Sequence, residues 1–280
     1  MSDPFDDDDL MNSILERDEY QHLRVTRRGF AAVVTLARPE VRNAFNARLI
    51  AELRAVFRKL DQTDDLRAVV LEGEGKVFSA GADLNWMRAS LDFSHDENVN
   101  DALRMADMFR AIDSCRHPVI GRIQGAALGG GVGLAAVCDI AIAAEGTVFG
   151  FTEVRVGIAP AVISPFAARK IGRSWARALF TTGERIDAQL ARQIGLVHQV
   201  VQADQLDAAV TEKLRALGQS TPAGVRASKL LAMTVLDLPD DEAREMTAAT
   251  IAGLRVDQEG QEGIRAFLEK RPAAWVSDDV

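Results

Sequence analysis

Gln124-Gly125-Ala126-Ala127-Leu128-Gly129-Gly130-Gly131-Val132-Gly133-Leu134 is the stretch on which the reading of the fold turns. Most of its residues lack a β-carbon or carry only a methyl group, and Gly129, Gly130 and Gly131 lead into an apolar segment able to start a helix. Bare backbone N–H groups can then come close to a bound group, because no side chain intervenes. The first N–H groups of a helix have no internal partner and sit at its positive end. A ligand atom carrying negative charge is their natural occupant. A tight turn where a strand and a helix pack closely would use the same residues.

The segments on either side supply strands and helices in alternation. Residues 22–26 and 30–36 are β-rich and are separated by Arg27-Arg28-Gly29, which predicts a hairpin. Residues 46–60 carry Leu49, Ile50, Leu53, Val56, Phe57 and Leu60 at helical spacing, with basic residues on the other face. A short buried strand is expected at 68–71, a helix at 99–112 stopped by His117-Pro118, and a strand at 119–123 leading into the glycine run. The next strand is expected at 139–143. This order is α/β. Beyond Gln202 the character changes. Residues 203–217, 222–236, 240–254 and 257–270 read as four amphipathic helices, a C-terminal helical region (203–280) whose apolar faces suit packing onto the core (20–202) or onto another subunit.

Composition narrows the class. The 280 residues are 48% hydrophobic and 26% charged, ordinary for a globular protein with a large core. The formal charge of -8 is concentrated in residues 1–20, where eight acids stand against Arg17 alone. Residues 1–19 read as a disordered acidic head, with neither the apolar core of a secretory signal nor the arginine-rich character of a transit peptide. The rest of the chain is nearly neutral. Two cysteines, Cys115 and Cys138, suit a reducing compartment and a cytoplasmic location. Four scattered histidines offer no metal-ligand spacing, and no metal is expected. The apolar run 125–138 is too short to span a membrane.

A second small-residue loop, Phe78-Ser79-Ala80-Gly81-Ala82-Asp83-Leu84, follows the 68–71 strand and precedes a short helix starting near Asp83. Two such loops, each after a strand, could aim two N–H donors at one oxygen, the geometry of an oxyanion hole. Two unrelated turns would share the spacing. The pair resembles the corresponding segments of the enoyl-CoA hydratase/isomerase (crotonase) superfamily. Further segments are similar to that family in order: Leu36-Ala37-Arg38-Pro39-Glu40-Val41-Arg42-Asn43-Ala44-Phe45 to its first coenzyme A loop, and Cys138-Asp139-Ile140-Ala141-Ile142-Ala143-Ala144 to the strand after its glycine helix. Phe149-Gly150-Phe151-Thr152-Glu153-Val154-Arg155-Val156-Gly157 resembles its second catalytic segment, and Phe267-Leu268-Glu269-Lys270-Arg271 its last helix. The likeness covers about residues 20–275.

The resemblance implies a crotonase-like spiral of ββα turns and an acyl-CoA substrate. Ala82 and Gly130 would supply the two oxyanion N–H groups that polarise the thioester carbonyl and hold the enolate. Arg42, Ala44, Ala80, Asp83, Leu84, Gly133, Phe267 and Lys270 would line the coenzyme A and acyl path. Coenzyme A would arrive as part of the substrate, with no separate cofactor, and the assembly would be a homotrimer or a dimer of trimers. Glu153 would be the acid/base group. In an apolar segment its pKa should be raised, which fits proton transfer near neutrality. A surface glutamate paired with Arg155 is the plain alternative.

One position departs from the family pattern. Hydratases with two glutamates carry the first of them where this chain has Gly133. Either the reaction needs only one glutamate, or another group or the substrate itself helps. A single glutamate at the second position also resembles Δ3,Δ2-enoyl-CoA isomerases. Asp83-Leu84-Asn85-Trp86-Met87 and Gly157-Ile158-Ala159-Pro160-Ala161-Val162-Ile163-Ser164-Pro165 resemble bacterial methylglutaconyl-CoA hydratases of leucine degradation. The leading expectation is therefore hydration of a branched or carboxylated enoyl-CoA, with Gly133 leaving room for the acyl group, and isomerisation is the alternative. A non-catalytic acyl-CoA- or RNA-binding protein is a third reading, the latter through Arg48, Arg54, Arg58 and Lys59. No nucleic-acid or membrane partner is expected.

Overall fold

Gly29, at φ +53°, turns the chain between two antiparallel strands, β1 (Leu23–Arg28) and β2 (Ala31–Leu36). The computed structural model describes residues 20–280, so the acidic head expected at 1–19 lies outside the described residues. Helix α1 (Ala47–Asp61) follows, its first turn closed by Asn46, whose side chain accepts from the Leu49 N–H. The chain then returns as β3 (Ala68–Gly73), parallel to β2 with Val33 opposite Val70. A short helix α2 (Leu84–Ala89) and a long one, α3 (His95–Asp113), complete this turn. Ser94 and Glu97 form a reciprocal capping box at the start of α3.

The next turns repeat the plan. Strand β4 (Val119–Ile123) is followed by β5 (Ala126–Leu128) and helix α4 (Gly130–Val137). Strand β6 (Ile140–Ala144) is followed by β7 (Val148–Gly150) and helix α5 (Ser164–Thr182). Strand β8 (Arg185–Asp187), helix α6 (Ala188–Gln193) and strand β9 (Gln199–Val201) close the series. Six strands form one sheet in the order β1-β2-β3-β4-β6-β9, parallel apart from the first pair, and β5-β7-β8 form a second sheet. A parallel bridge between Ser79 and Ala127 sets the loop after β3 beside β5. The turns that begin at β3, β4 and β6 thus each give the large sheet one strand, the small sheet one short segment, and then a helix. This is the expected spiral.

The alternation of side chains along the large sheet divides the core in two. Val34, Leu36, Val69, Leu71 and Ile123 face inward onto the helices, against Leu49, Phe57, Phe109 and Leu134. Ala31, Val70, Ile120 and Ile142 face the other way. They are covered by helix α7 (Leu206–Gly218) through Leu206, Ala209, Val210 and Leu214. Each such leucine contributes about 1.5–3 kcal/mol of burial free energy. The first of the four C-terminal helices therefore belongs to the core packing. The others, α8 (Pro222–Thr234), α9 (Asp240–Val256) and α10 (Gln258–Glu269), together bury only Ala266. α9 and α10 expose Val256, Phe267 and Leu268, and the turn after α8 exposes Leu236. No helix among the described residues is long and apolar enough to cross a membrane.

Candidate active site

Three loops meet at one end of the spiral, and backbone hydrogen bonds join them. The first runs from β2 to α1 and holds consecutive left-handed residues, Arg42 and Asn43 (φ +56° and +54°). Asn43 sustains that shape: its Oδ1 accepts from the Arg38 N–H at 2.9 Å, and its Nδ2 donates to the Glu74 and Val77 carbonyls, each at 2.9 Å. The Ser79 hydroxyl donates to the Asn43 carbonyl at 2.9 Å, tying in the second loop. Phe45 N–H bonds to Gly81 O at 2.6 Å and Asp83 N–H to Phe45 O at 2.8 Å, which leaves the Ala82 peptide between them pointing away. Leu128 N–H bonds to Ser79 O at 3.0 Å, tying the second loop to the third.

The glycines are required by the closeness of these loops. A β-carbon on Gly81 (φ +89°) would stand 2.8 Å from Leu128 O, and one on Gly130 only 2.5 Å from the Phe45 ring. Gly129 (φ +52°) directs its N–H to Gly150 O at 2.9 Å and caps α4. Among the described residues, neither the Ala82 N–H nor the Gly130 N–H donates to a protein acceptor. Gly130 is the first residue of α4, so its N–H is one of the helix's free donors. The two predicted oxyanion positions thus lie on loops stitched side by side, with their donors free.

Glu153 sits on the 3-10 turn Thr152–Val156 after β7. A β-carbon on Gly129 would lie 3.5 Å from its Oε1 and 3.8 Å from Gly81 Cα, so the carboxylate rests where the two glycine loops touch. Its Oε2 is buried without a hydrogen-bond partner. Burial pushes the carboxyl above the ordinary glutamate range, opposed by its own backbone N–H. No hydrogen bond or ion pair among the described residues engages it with Arg155. A buried acceptor without a partner costs about 1–3 kcal/mol, which suits an oxygen held for a transferred proton.

The remaining predicted residues divide. Ala80 is half-buried and fixed by its N–H to the Arg42 carbonyl at 3.0 Å. Ala44 is buried, its carbonyl accepting from Arg38 Nη1. Arg42 and Leu84 are exposed beside the loops. Asp83 turns inward: its carboxylate accepts from the Asn85 N–H at 2.8 Å, capping α2, and pairs with buried Arg38 at 2.8 Å. Burial opposes its charge, but the Asn85 N–H and Arg38 together hold its pKa below the ordinary value. Through these contacts its carboxylate braces the first two loops. Removing it would strand the Arg38 charge. Asp83→Ala is expected to lower stability by about 3 kcal/mol in denaturant unfolding; a loss under about 0.5 kcal/mol would show the brace is idle.

Gly133 also differs from its expected setting. A β-carbon there would stand 2.4 Å from Ile163 Cγ2 and 2.9 Å from two ring atoms of Phe109. The space a side chain would take at Gly133 is already filled by Ile163 and Phe109, so the missing side chain does not itself open a pocket. Phe267 and Lys270 are exposed on and just after α10, and no hydrogen bond among the described residues joins them to the glycine loops. Sequence inspection missed Arg38, Asn43, Phe109 and Ile163. None carries a spacing signal, because each acts across the fold. On the basic face of α1, Arg48 is paired with Glu52 at 2.6 Å and Arg54 with Asp107 at 3.8 Å, while Arg58 and Lys59 are exposed.

The whole arrangement has close counterparts. The family model for enoyl-CoA hydratase/isomerase matches residues 27–278. The crystal structure of an enoyl-CoA hydratase from Shewanella pealeana superposes with a TM-score of 0.88 at 37% identity, over 95% of this chain and 99% of that one. Pseudomonas aeruginosa AtuE superposes with a TM-score of 0.89 at 32% identity, over 92% of this chain and all of that one. The enoyl-CoA hydratase ACTT6 of Alternaria alternata is 32% identical over 248 residues, 86% of this chain and 80% of that protein.

Proposed function

The chain belongs to the enoyl-CoA hydratase/isomerase family, and from that premise we propose that it adds water across the α,β double bond of a branched or carboxylated enoyl-CoA of the methylglutaconyl-CoA kind. The observation that carries the proposal is Glu153, one carboxylate with a raised pKa and an unpartnered oxygen, set against the glycine loops whose N–H donors are free. The thioester oxygen accepts from the Ala82 and Gly130 N–H groups. Glu153 takes a proton from water as the water oxygen bonds to the β-carbon, and the double-bond electrons move onto the thioester oxygen as an enolate. The enolate then recovers the proton at its α-carbon from Glu153. Preorganised donors of this kind are worth about 3 kcal/mol each.

Support for the acyl group comes from the likeness of residues 83–87 and 157–165 to methylglutaconyl-CoA hydratases. Exposed Arg42 suits a coenzyme A phosphate. Phe267 and Lys270, exposed at the end of α10, suit coenzyme A from a neighbouring subunit, and the apolar residues exposed on α8–α10 and the turn after α8 suit a homotrimer or dimer of trimers. Coenzyme A enters as part of the substrate, without a further cofactor. Two buried free thiols suit a reducing cytoplasm.

A second function is favoured by one observation: Ile163 and Phe109 fill the place beside Gly133 where a second carboxylate would stand. With Glu153 alone, a 3-enoyl-CoA would lose its α-proton to the carboxylate and regain it at the γ-carbon, an isomerisation through the same enolate. A panel of enoyl-CoA thioesters followed by mass and by loss of conjugation separates the two. A gain of one water, with kcat/KM for 3-methylglutaconyl-CoA at least about 10-fold above crotonyl-CoA, is expected. An unchanged mass with a shifted double bond would replace hydration by isomerisation.

A further inference from the structure

Helix α4 closes in an unusual way. Cys138, which follows Val137, is extended (φ -72°, ψ 135°), so no left-handed turn folds back to satisfy the last carbonyls. Lys170, on the neighbouring helix α5, reaches in instead. Its Nζ donates to the Ala135 carbonyl at 3.2 Å and to the Cys138 carbonyl at 2.5 Å. The two nearby acids are taken by other cations, Asp139 by Lys229 at 2.7 Å and Asp113 by Arg169 at 2.8 Å. Among the described residues Lys170 makes no ion pair, so its ammonium is committed to the helix end. Burial draws its pKa down, while Asp139 and Asp113 act in the opposite direction.

The opposite end of the same eight-residue helix presents the Gly130 N–H. Eight residues span about 12 Å. A cation at the carbonyl end neutralises the helix's negative pole and pins that end to α5, which leaves the amide end with its full positive character. We propose that Lys170 is a positioning residue for the oxyanion hole, holding α4 so that the Gly130 N–H meets the developing enolate. This rests on the oxyanion role given to Ala82 and Gly130 above.

The test uses acetoacetyl-CoA, whose enolate absorbs in the near ultraviolet, so that the apparent pKa of enolisation can be read in the bound ligand. The wild-type protein is expected to lower that pKa relative to the free thioester. Lys170→Met should move it back toward the free value by about one unit and lower kcat about 10-fold, with KM and the affinity for a saturated acyl-CoA within about twofold. Lys170→Gln keeps two N–H donors without the charge and should fall between. A purely structural role would lower the melting temperature and leave the bound enolisation pKa in place. A folded Lys170→Met protein with kcat and enolisation pKa both at wild-type values would overturn the proposal. If that variant does not fold, Lys170→Gln is judged by the same two readings. A wild-type protein that leaves the ligand's enolisation where it lies in water would sink the oxyanion-hole assignment itself, and this proposal with it.

Discussion

Glu153→Gln is expected to lower kcat at least about 100-fold, with KM and acyl-CoA affinity within about twofold. The amide keeps the shape of the side chain and cannot carry the proton. Ligand binding should survive, because the proposed contacts to the thioester are backbone N–H groups. The same substitution should also stabilise the protein near neutrality. Burial raises the folded-state pKa of Glu153 above its unfolded value, so the native state binds a proton more tightly than the unfolded state does. Stability is then highest below the unfolded pKa and falls as pH rises through the folded one. Glu153→Gln removes that loss, so its melting temperature should exceed wild type by on the order of 2 °C at pH 7, with the gain gone below about pH 4. The wild-type pH–rate profile should carry an acid limb above the ordinary glutamate range. Near wild-type turnover by Glu153→Gln would remove this residue from the chemistry. A variant less stable than wild type at pH 7 would mean that the carboxylate is satisfied in the fold.

How much of this was legible in the sequence depends on the length over which each residue acts. The hairpin about Gly29, helix α1 and the four C-terminal helices were readable because their apolar periodicity runs for many residues. Strands β5, β7, β8 and β9 are three residues each, too short for any alternation to register. Helix α5 contains Gly172 at φ +72°, which breaks the pattern across its middle. At the site, Gly129, Gly130 and Glu153 were visible, because bare backbone and a carboxylate in an apolar segment are local facts. Asp83 was visible as part of the second loop, but its bracing role was not. Its partner Arg38 lies 45 residues earlier, and only the folded chain shows that the carboxylate faces inward. The packing beside Gly133 was hidden for a similar reason. A glycine reports that no side chain is present, and it does not report what occupies the space. Phe109 comes from α3 and Ile163 from just before α5, both far from the glycine run in sequence.

That occupancy fixes what Gly133→Glu should do. A β-carbon alone would intrude to 2.4 Å from Ile163 Cγ2 and 2.9 Å from the Phe109 ring, where ordinary contact is about 3.5–4.0 Å. Neither neighbour is free to yield. Ile163 and Phe109 are both buried, and Phe109 is held between Phe45 and Phe166, with ring centroids 6.2 and 6.0 Å away. Overpacking of this kind costs about 1–3 kcal/mol, and a carboxylate forced into the same apolar corner without a partner adds several more. The expected result is a melting temperature at least about 10 °C below wild type and little activity toward any enoyl-CoA, rather than a switch toward crotonyl-CoA. Adding Ile163→Ala removes the atom at 2.4 Å and should recover part of the stability, a non-additivity measurable as a double-mutant cycle. A Gly133→Glu protein with wild-type stability and faster crotonyl-CoA hydration would show that Ile163 and Phe109 swing aside. The site would then accept a second carboxylate as readily as it accepts its one glutamate, and the packing beside Gly133 would no longer bear on which reaction the protein performs.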